Sequence, residues 1–298
     1  MNPKCIICDT ECPFLLEKDG YNIYECPTCR LSFVYPQPTA VYLQEEVYSE
    51  KSGYQANKIK DLSKAIVTDK QKRILKYLKE QKKGIFLDVG CSSGELMYFV
   101  KKIGFDVKGV ELNPRTANIA KANGLDVEIK MVENANYQEN YFDYVHMGDL
   151  IEHVADPRKL VDEVQRILKP GGQLIILTPN MECFWSRSTR ALWRLFGIPW
   201  GVVTPPHHLY QFGAENLKRL LNENGYQFRK AWYTKTPSLK YELGSLHLIK
   251  AWKKGRTFRS LVFMIFSFSL YTILFGVNRV LELFPVKRFG MAMVFVKS

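Results

Sequence analysis

The spacing of apolar positions changes along the chain, and each change marks an element. After the Asp19-Gly20 turn, Tyr21-Asn22-Ile23-Tyr24 alternates and predicts a short strand. Pro36-Gln37-Pro38-Thr39 ends that pattern, and the chain then runs polar and lysine-rich. Ile59, Leu62, Ile66, Ile74, Tyr77 and Leu78 recur at helical intervals and predict a helical bridge over 59–78. From Gly84 strands and helices alternate. Ile85-Phe86-Leu87-Asp88-Val89 and Phe105-Asp106-Val107-Lys108-Gly109-Val110 predict strands, with a helix from Glu95 to Ile103 between them. Tyr144-Val145-His146-Met147 and Leu174-Ile175-Ile176-Leu177 predict two more, separated by a helix from Pro157 to Leu168. This alternation implies an α/β, doubly wound, mostly parallel sheet.

Two apolar stretches do not fit that rhythm. Residues 183–203 interleave Trp185, Trp193, Trp200, Phe184, Phe196 and Leu192 with Arg187, Arg190 and Arg194, as in a packed lid helix or an interfacial helix. The 19 residues between Arg259 and Arg279 carry no charge, and Lys250, Lys253, Lys254 and Arg256 precede them. That length approaches the roughly 18–20 residues of a spanning helix. Gly290 to Val296 then predicts a final strand. If that strand rejoins the sheet, both ends of the apolar segment lie on one side of a membrane. Surface attachment is then expected, with a buried core helix as the first alternative and a spanning anchor as the second.

The chain has 298 residues, 46% hydrophobic and 24% charged, which excludes disordered, collagen-like and multi-pass membrane classes. A net charge of +12 points to an acidic partner: a phosphorylated substrate, an anionic membrane surface or nucleic acid. The first ten residues contain no apolar run of the kind that directs export. A cytoplasmic location is therefore expected, peripheral at the inner face of the membrane.

Five of the seven cysteines fall in the first 29 residues. Cys5, Cys8, Cys26 and Cys29 form two C-x2-C knuckles, a spacing that supplies four soft ligands to a structural zinc ion. A redox pair uses the same spacing. Cys12 is a spare, read as a small half-buried side chain.

The turn Asp88-x-Gly90-Cys91-Ser92-x-Gly94 differs from a dinucleotide fingerprint, because a carboxylate opens it. That carboxylate would repel a pyrophosphate but suits an ammonium group. Glu111, 23 positions later, can accept both hydroxyls of a ribose. A ligand joining an amino acid to a nucleoside meets both demands, as S-adenosylmethionine does.

With Asp149-Leu150-Ile151-Glu152-His153-Val154-Ala155-Asp156-Pro157, Leu168-Lys169-Pro170-Gly171-Gly172 and Thr178-Pro179-Asn180 following in order, the chain resembles the class I S-adenosylmethionine-dependent methyltransferases over about 84–225. The amino-terminal cysteines and Phe33-Val34-Tyr35-Pro36-Gln37-Pro38 resemble a subgroup bearing a zinc ribbon. The resemblance implies a seven-stranded Rossmann-like sheet. It also implies a ribbon over 1–35, a linker over 36–83 and a methyltransferase domain over 84–298, with insertions at about 183–206 and 252–285. Asp88, Gly90, Cys91 and Gly94 would line the methionine portion, Glu111 would hold the ribose and Leu112 would lie on the adenine. Val132 and Glu133 would approach the adenine amino group, and Met147 and Gly148 the sulfonium. Leu168–Gly172 is read as a turn before the fifth strand.

Relatives that methylate a base amino group carry an Asn/Asp-Pro-Pro-aromatic turn where this chain has Gly148-Asp149-Leu150-Ile151. A hydroxyl acceptor needs a base, for which a histidine is suited. His146 lies inside a strand and is read as packed. His207 and His208, in the loop after Thr204-Pro205-Pro206, lead as candidates, with His153 next. The expected function is O-methylation of a small or lipid-linked acceptor such as a sugar, glycan or quinone precursor. The alternatives are carbon methylation of a nucleotide-linked sugar and a zinc-ribbon module directed to RNA, with nucleic acid the less favoured partner.

Overall fold

The computed structural model describes residues 2–39, 42–43, 61–244, 246–255, 257–284 and 288–298. Three short strands open the chain: β1 (Phe14–Lys18), β2 (Tyr21–Glu25) and β3 (Ser32–Val34). Of the predicted 59–78 helix the second half forms, from Asp69, as α1 (Asp69–Lys79). Thr68 caps it in a reciprocal box with Gln71, and a 3-10 turn, Leu62–Lys64, lies before it. Residues 59 and 60 lie outside the described residues.

The α/β domain follows as β4 (Ile85–Val89), α2 (Glu95–Lys102), β5 (Asp106–Val110), α3 (Pro114–Ala122), β6 (Asp126–Glu128) and β7 (Phe142–Gly148). Then come α4 (Pro157–Ile167), β8 (Leu168–Pro179), α5 (Phe184–Phe196), β9 (Tyr210–Gln211), α6 (Ala214–Glu223) and β10 (Tyr226–Thr234). Three helices, α7 (Leu239–Gly244), α8 (Leu248–Gly255) and α9 (Phe258–Leu281), precede β11 (Gly290–Lys297).

The main sheet has seven strands in the order β10-β11-β8-β7-β4-β5-β6. β8, β7, β4, β5 and β6 run parallel, and β11 is antiparallel to both neighbours. The late strand therefore does rejoin the sheet. The Leu168–Gly172 segment, expected as a turn, is instead the start of β8. Gly171 takes a left-handed φ of 73°, and the register slips as Leu168 faces Phe142 while Gln173 faces Tyr144.

The cysteine-rich segment is not a free appendage. β1, β2 and β3 form a second sheet whose fourth strand is β9, with Phe33 opposite Tyr210 and Ser32 opposite Gln211. Side chains of both sheets, such as Ile23 and Phe33 of the small one with Val145, Met147 and Ile176 of the main one, belong to one apolar core. Arg190 forks onto the buried Glu25 carboxylate, and Arg158 donates to the carbonyls of Ile6 and Ile7. Lys18 Nζ donates to the carbonyl oxygens of Trp200 (3.0 Å) and Val203 (2.6 Å).

Candidate active site

Parallel strands place their carboxyl ends at one edge, and the chemistry-bearing turns gather there. After β4, Gly90 and Gly94 both take left-handed φ values, 75° and 78°. Gly94 starts α2, and a β-carbon there would sit 2.5 Å from Leu125 Cδ1 and 3.0 Å from Ala120 Cβ. This glycine thus serves the packing of α2 on α3 as well as the turn. At Gly90 a β-carbon would meet Leu150 Cδ1 at 3.2 Å, so this turn lies against the one that follows β7.

Glu111, just past β5, is held by two backbone donors: Ser92 N–H to Oε2 and Asn113 N–H to Oε1, each 2.8 Å. One bond ties it to the glycine turn and the other fixes its own loop. A carboxylate has about four lone-pair sites, so acceptor capacity remains for the two hydroxyls of a ribose. Burial pushes its pKa up, against the opposing effect of these two bonds. Asp88 is 3% exposed, and its Oδ1 meets His146 Nδ1 at 2.6 Å. The carboxylate is thereby turned toward a buried ring at the turn's entrance. Cys91 is buried beside Gly109, and desolvation raises its thiol pKa. Leu112 is 39% exposed on the loop after β5, the position an adenine face would cover. Val132 and Met147 are buried, and Glu133 and Gly148 are half-buried. These residues fit a donor with an amino-acid end near the glycine turn and a ribose at Glu111.

The histidines divide. His153 Nδ1 lies against the His207 carbonyl oxygen, which can only accept, so Nδ1 carries the proton and Nε2 the lone pair. Nε2 is 3.9 Å from Glu152 Oε1, and the His153 and His208 rings meet edge to face at 4.8 Å between centroids. His208 joins the cluster, whereas His207 contributes its backbone carbonyl and its side chain is exposed. Burial holds the pKa of all three histidines down, that of His208 furthest, which favours their neutral forms.

Glu152 stands inside the Asp149–Pro157 motif, and the sequence alone assigns it no role. It is 1% exposed, and among the described residues neither carboxylate oxygen accepts or donates a hydrogen bond within 3.5 Å. Burial, then the charge of Asp149, pushes its pKa up to about 8. Asp149 in turn pairs with Lys70 of α1 at 2.7 Å. An acidic residue closing the apolar pair Leu150-Ile151 was the signal available in the sequence. One ligand atom from each of Glu152, His153 and His208 lies within 4.8 Å of the others.

The Sγ atoms of Cys5, Cys8, Cys26 and Cys29 also lie within 4.8 Å of one another. Cys5 Sγ and Cys29 Sγ are 3.6 Å apart, near the about 3.8 Å edge of a tetrahedron with arms of about 2.3 Å. Backbone N–H groups of Ile7 and Cys29 point at Cys5 Sγ and Cys26 Sγ, each at 3.4 Å. The Cys29 thiol holds Cys5 down to about 5. Cys12 is fully buried, more so than its reading as a half-buried spare, and its thiol donates to the Thr10 carbonyl.

Residues 60–231 match the family model described as a methyltransferase domain. A ubiquinone biosynthesis O-methyltransferase of Xanthomonas oryzae pv. oryzae is 36% identical over 101 residues, covering 32% of this chain and 42% of that protein. One from Yersinia pestis is 27% identical over 192 residues, covering 58% of this chain and 71% of its own. The chain thus spans less than half the length of the Xanthomonas relative. Among solved structures, a geranyl diphosphate C-methyltransferase from Streptomyces coelicolor A3(2) superposes with a TM-score of 0.48 at 13% identity, covering 77% of each chain. The family model covers more than half of the chain and the seven-stranded order carries the matching turns, so this chain belongs to the class I S-adenosylmethionine-dependent methyltransferases.

Proposed function

We propose that the chain methylates a hydroxyl oxygen on a small or lipid-linked acceptor, with a phenolic quinone precursor as the first substrate to test. The observation that carries this reading is the orientation of His153. Its Nδ1–H is committed to the His207 carbonyl, which leaves Nε2 as the basic nitrogen inside the Glu152–His208 cluster. The names of the ubiquinone-pathway relatives support the choice of acceptor.

S-adenosylmethionine, when bound, supplies a methyl group on a sulfonium whose departure leaves a neutral thioether. Glu111 would accept the ribose hydroxyls, and Gly90 would let backbone come close. His153 Nε2 takes the acceptor's hydroxyl proton as the oxygen–carbon bond forms, a step worth about 10²–10⁴ in rate. Burial disfavours the charged form of Glu152, which lowers its pull on a proton at His153 before the acceptor arrives. Alignment of the two reactants supplies the larger share of the acceleration.

The test is incubation with isotopically labelled donor and either a polyprenyl catechol or a nucleotide-linked sugar, with the product read by mass spectrometry. A methyl ether on the catechol is expected. A new carbon–methyl bond on the sugar, with the catechol untouched, supports the alternative of carbon methylation instead. A second reading rests on the same trio: Glu152, His153 and His208 could hold a divalent cation that polarises the acceptor oxygen. Loss of turnover in a chelator, restored by magnesium or zinc, would favour it.

The cysteine cluster is proposed as a structural zinc site that fixes the ribbon against the acceptor loop. Metal analysis should give about one zinc per chain, released in step with modification of Cys5, Cys8, Cys26 and Cys29. Purified protein free of metal, with disulfides formed reversibly between these cysteines, would identify a redox pair.

A further inference from the structure

Helix α9 buries a polar stripe, with Phe263, Phe268 and Phe275 half-buried against the core beside it, and still leaves an apolar face exposed. Ser267, Tyr271 and Asn278 are its buried residues, and Glu282 follows one turn later, also buried. Their spacing of four, seven and four places them on one stripe. Val262, Ile265, Ile273, Val277 and Val280 face outward and are 46–66% exposed. In a helix lying on a water-soluble domain the two sets would be exchanged.

The inward stripe is fully engaged. Tyr271 donates to the Pro199 carbonyl at 3.0 Å, and its ring meets Trp185 edge to face. Asn278 Nδ2 donates to Thr236 Oγ1, and Thr236 donates to Glu282. Arg279 pairs with Glu282 at 2.8 Å and also donates to the Thr236 and Pro237 carbonyls. These bonds fix which face looks out. That face belongs to a helix whose most apolar 18-residue stretch has a mean hydropathy of 2.1 and is 11% buried. Its surface continues through Phe266 onto Phe196 of α5, beside the exposed Leu195.

We propose that α9 lies in the plane of an anionic bilayer surface, its outward face in the acyl region, as an anchor that does not span. Two observations exclude a span. The chain enters from α8 and leaves into β11, which is bonded to β8 and β10 inside the main sheet. The bonded stripe from Tyr271 to Glu282 keeps protein along one flank, where a spanning helix would need lipid. Charge selects an anionic lipid surface over a second copy of the chain. Exposed Lys253, Arg259, Arg187 and Arg194 stand on this helix and its neighbours, and the chain carries +12. Two copies meeting through this face would bring those cations together, whereas anionic headgroups neutralise them. The proposal is independent of the acceptor's identity, because its test reads partition and depth.

The full chain is floated with vesicles of phosphatidylcholine alone or mixed with phosphatidylglycerol. At least tenfold greater recovery on the anionic vesicles is expected. The double variant Ile265→Asp/Ile273→Asp should lose that recovery at least tenfold while keeping its circular dichroism and donor affinity. If it fails to fold, three single variants decide the matter: Val262→Trp, Ile273→Trp and Val280→Trp. Quenching by brominated lipids should place all three tryptophans at one shallow depth. A gradient of depth along the helix would establish a span and overturn the proposal. So would equal recovery on both vesicles, or absence of flotation from a chain that the double substitution turns from dimer to monomer.

Discussion

The two halves of the proposed site, one for the donor and one for the acceptor, are assembled in opposite ways. The donor half is local: Asp88, Gly90, Gly94 and Glu111 come from one strand–turn–helix–strand unit, with Ser92 N–H joining Glu111 to the turn. The acceptor half is gathered from a distance. Glu152 and His153 follow β7, His207 and His208 arrive 54 residues later, and β9 just beyond them is held by β3 of the ribbon. Val34 N–H reaches the Leu209 carbonyl at 2.9 Å, one residue past His208. A local unit keeps its geometry wherever the fold forms. A gathered one depends on docking, which leaves it open to change with the acceptor while the donor half stays fixed.

The largest effect that tests this contrast is His153→Ala. Turnover should fall about 10²–10⁴-fold with donor affinity held within about twofold, as measured by calorimetry beside kinetics. A matching loss of donor affinity would show that the halves are not separable. Next is Gly94→Ala, which forces a side chain into left-handed backbone and against Leu125. A loss of about 2–4 kcal/mol in denaturant unfolding is expected. Glu111→Ala should weaken donor binding by about 10–100-fold, the scale of one charged hydrogen bond, with turnover at saturating donor largely kept.

The smallest effect is a change in the shape of the stability curve, from Glu242→Gln. Glu242 is 2% exposed and accepts from the Trp185 indole at 2.9 Å, and burial raises its pKa to about 7. The folded chain therefore keeps a proton that the unfolded chain releases above about pH 4.5. Stability falls as pH rises from there to about 7, and is level beyond. Thermal unfolding at pH 5 and pH 8 should differ less in Glu242→Gln than in the parent chain, with neither half of the proposed site affected. An unchanged difference would assign the slope to other groups.

Legibility followed the same division. The glycine turn and the main strands could be read because each is set by neighbours in sequence: an apolar run, a glycine that must turn, a carboxylate at a strand end. The acceptor half was legible only as a set of candidates. Of the paired histidines one ring joins the cluster, and Glu152 gains its role from a partner 56 positions away, His208. The 59–78 helix failed for a local reason. Ile66 matched the period but is 82% exposed, and Thr68 starts the helix after it. In α9 the apolar run was plain, but its inward polar stripe needs knowledge of what Trp185, Pro199 and Thr236 place against it.

The position of β11 has a consequence for timing. This strand fills a slot between β8 and β10, yet it follows α9 in the chain. At synthesis rates of about 5–20 residues per second, α9 leaves the ribosome before the strand that closes the sheet has arrived. For that interval the apolar helix is displayed on an unsealed domain. Apolar surface displayed in this way is prone to aggregate, so the lipid face proposed to hold the finished protein would also shelter the helix during synthesis.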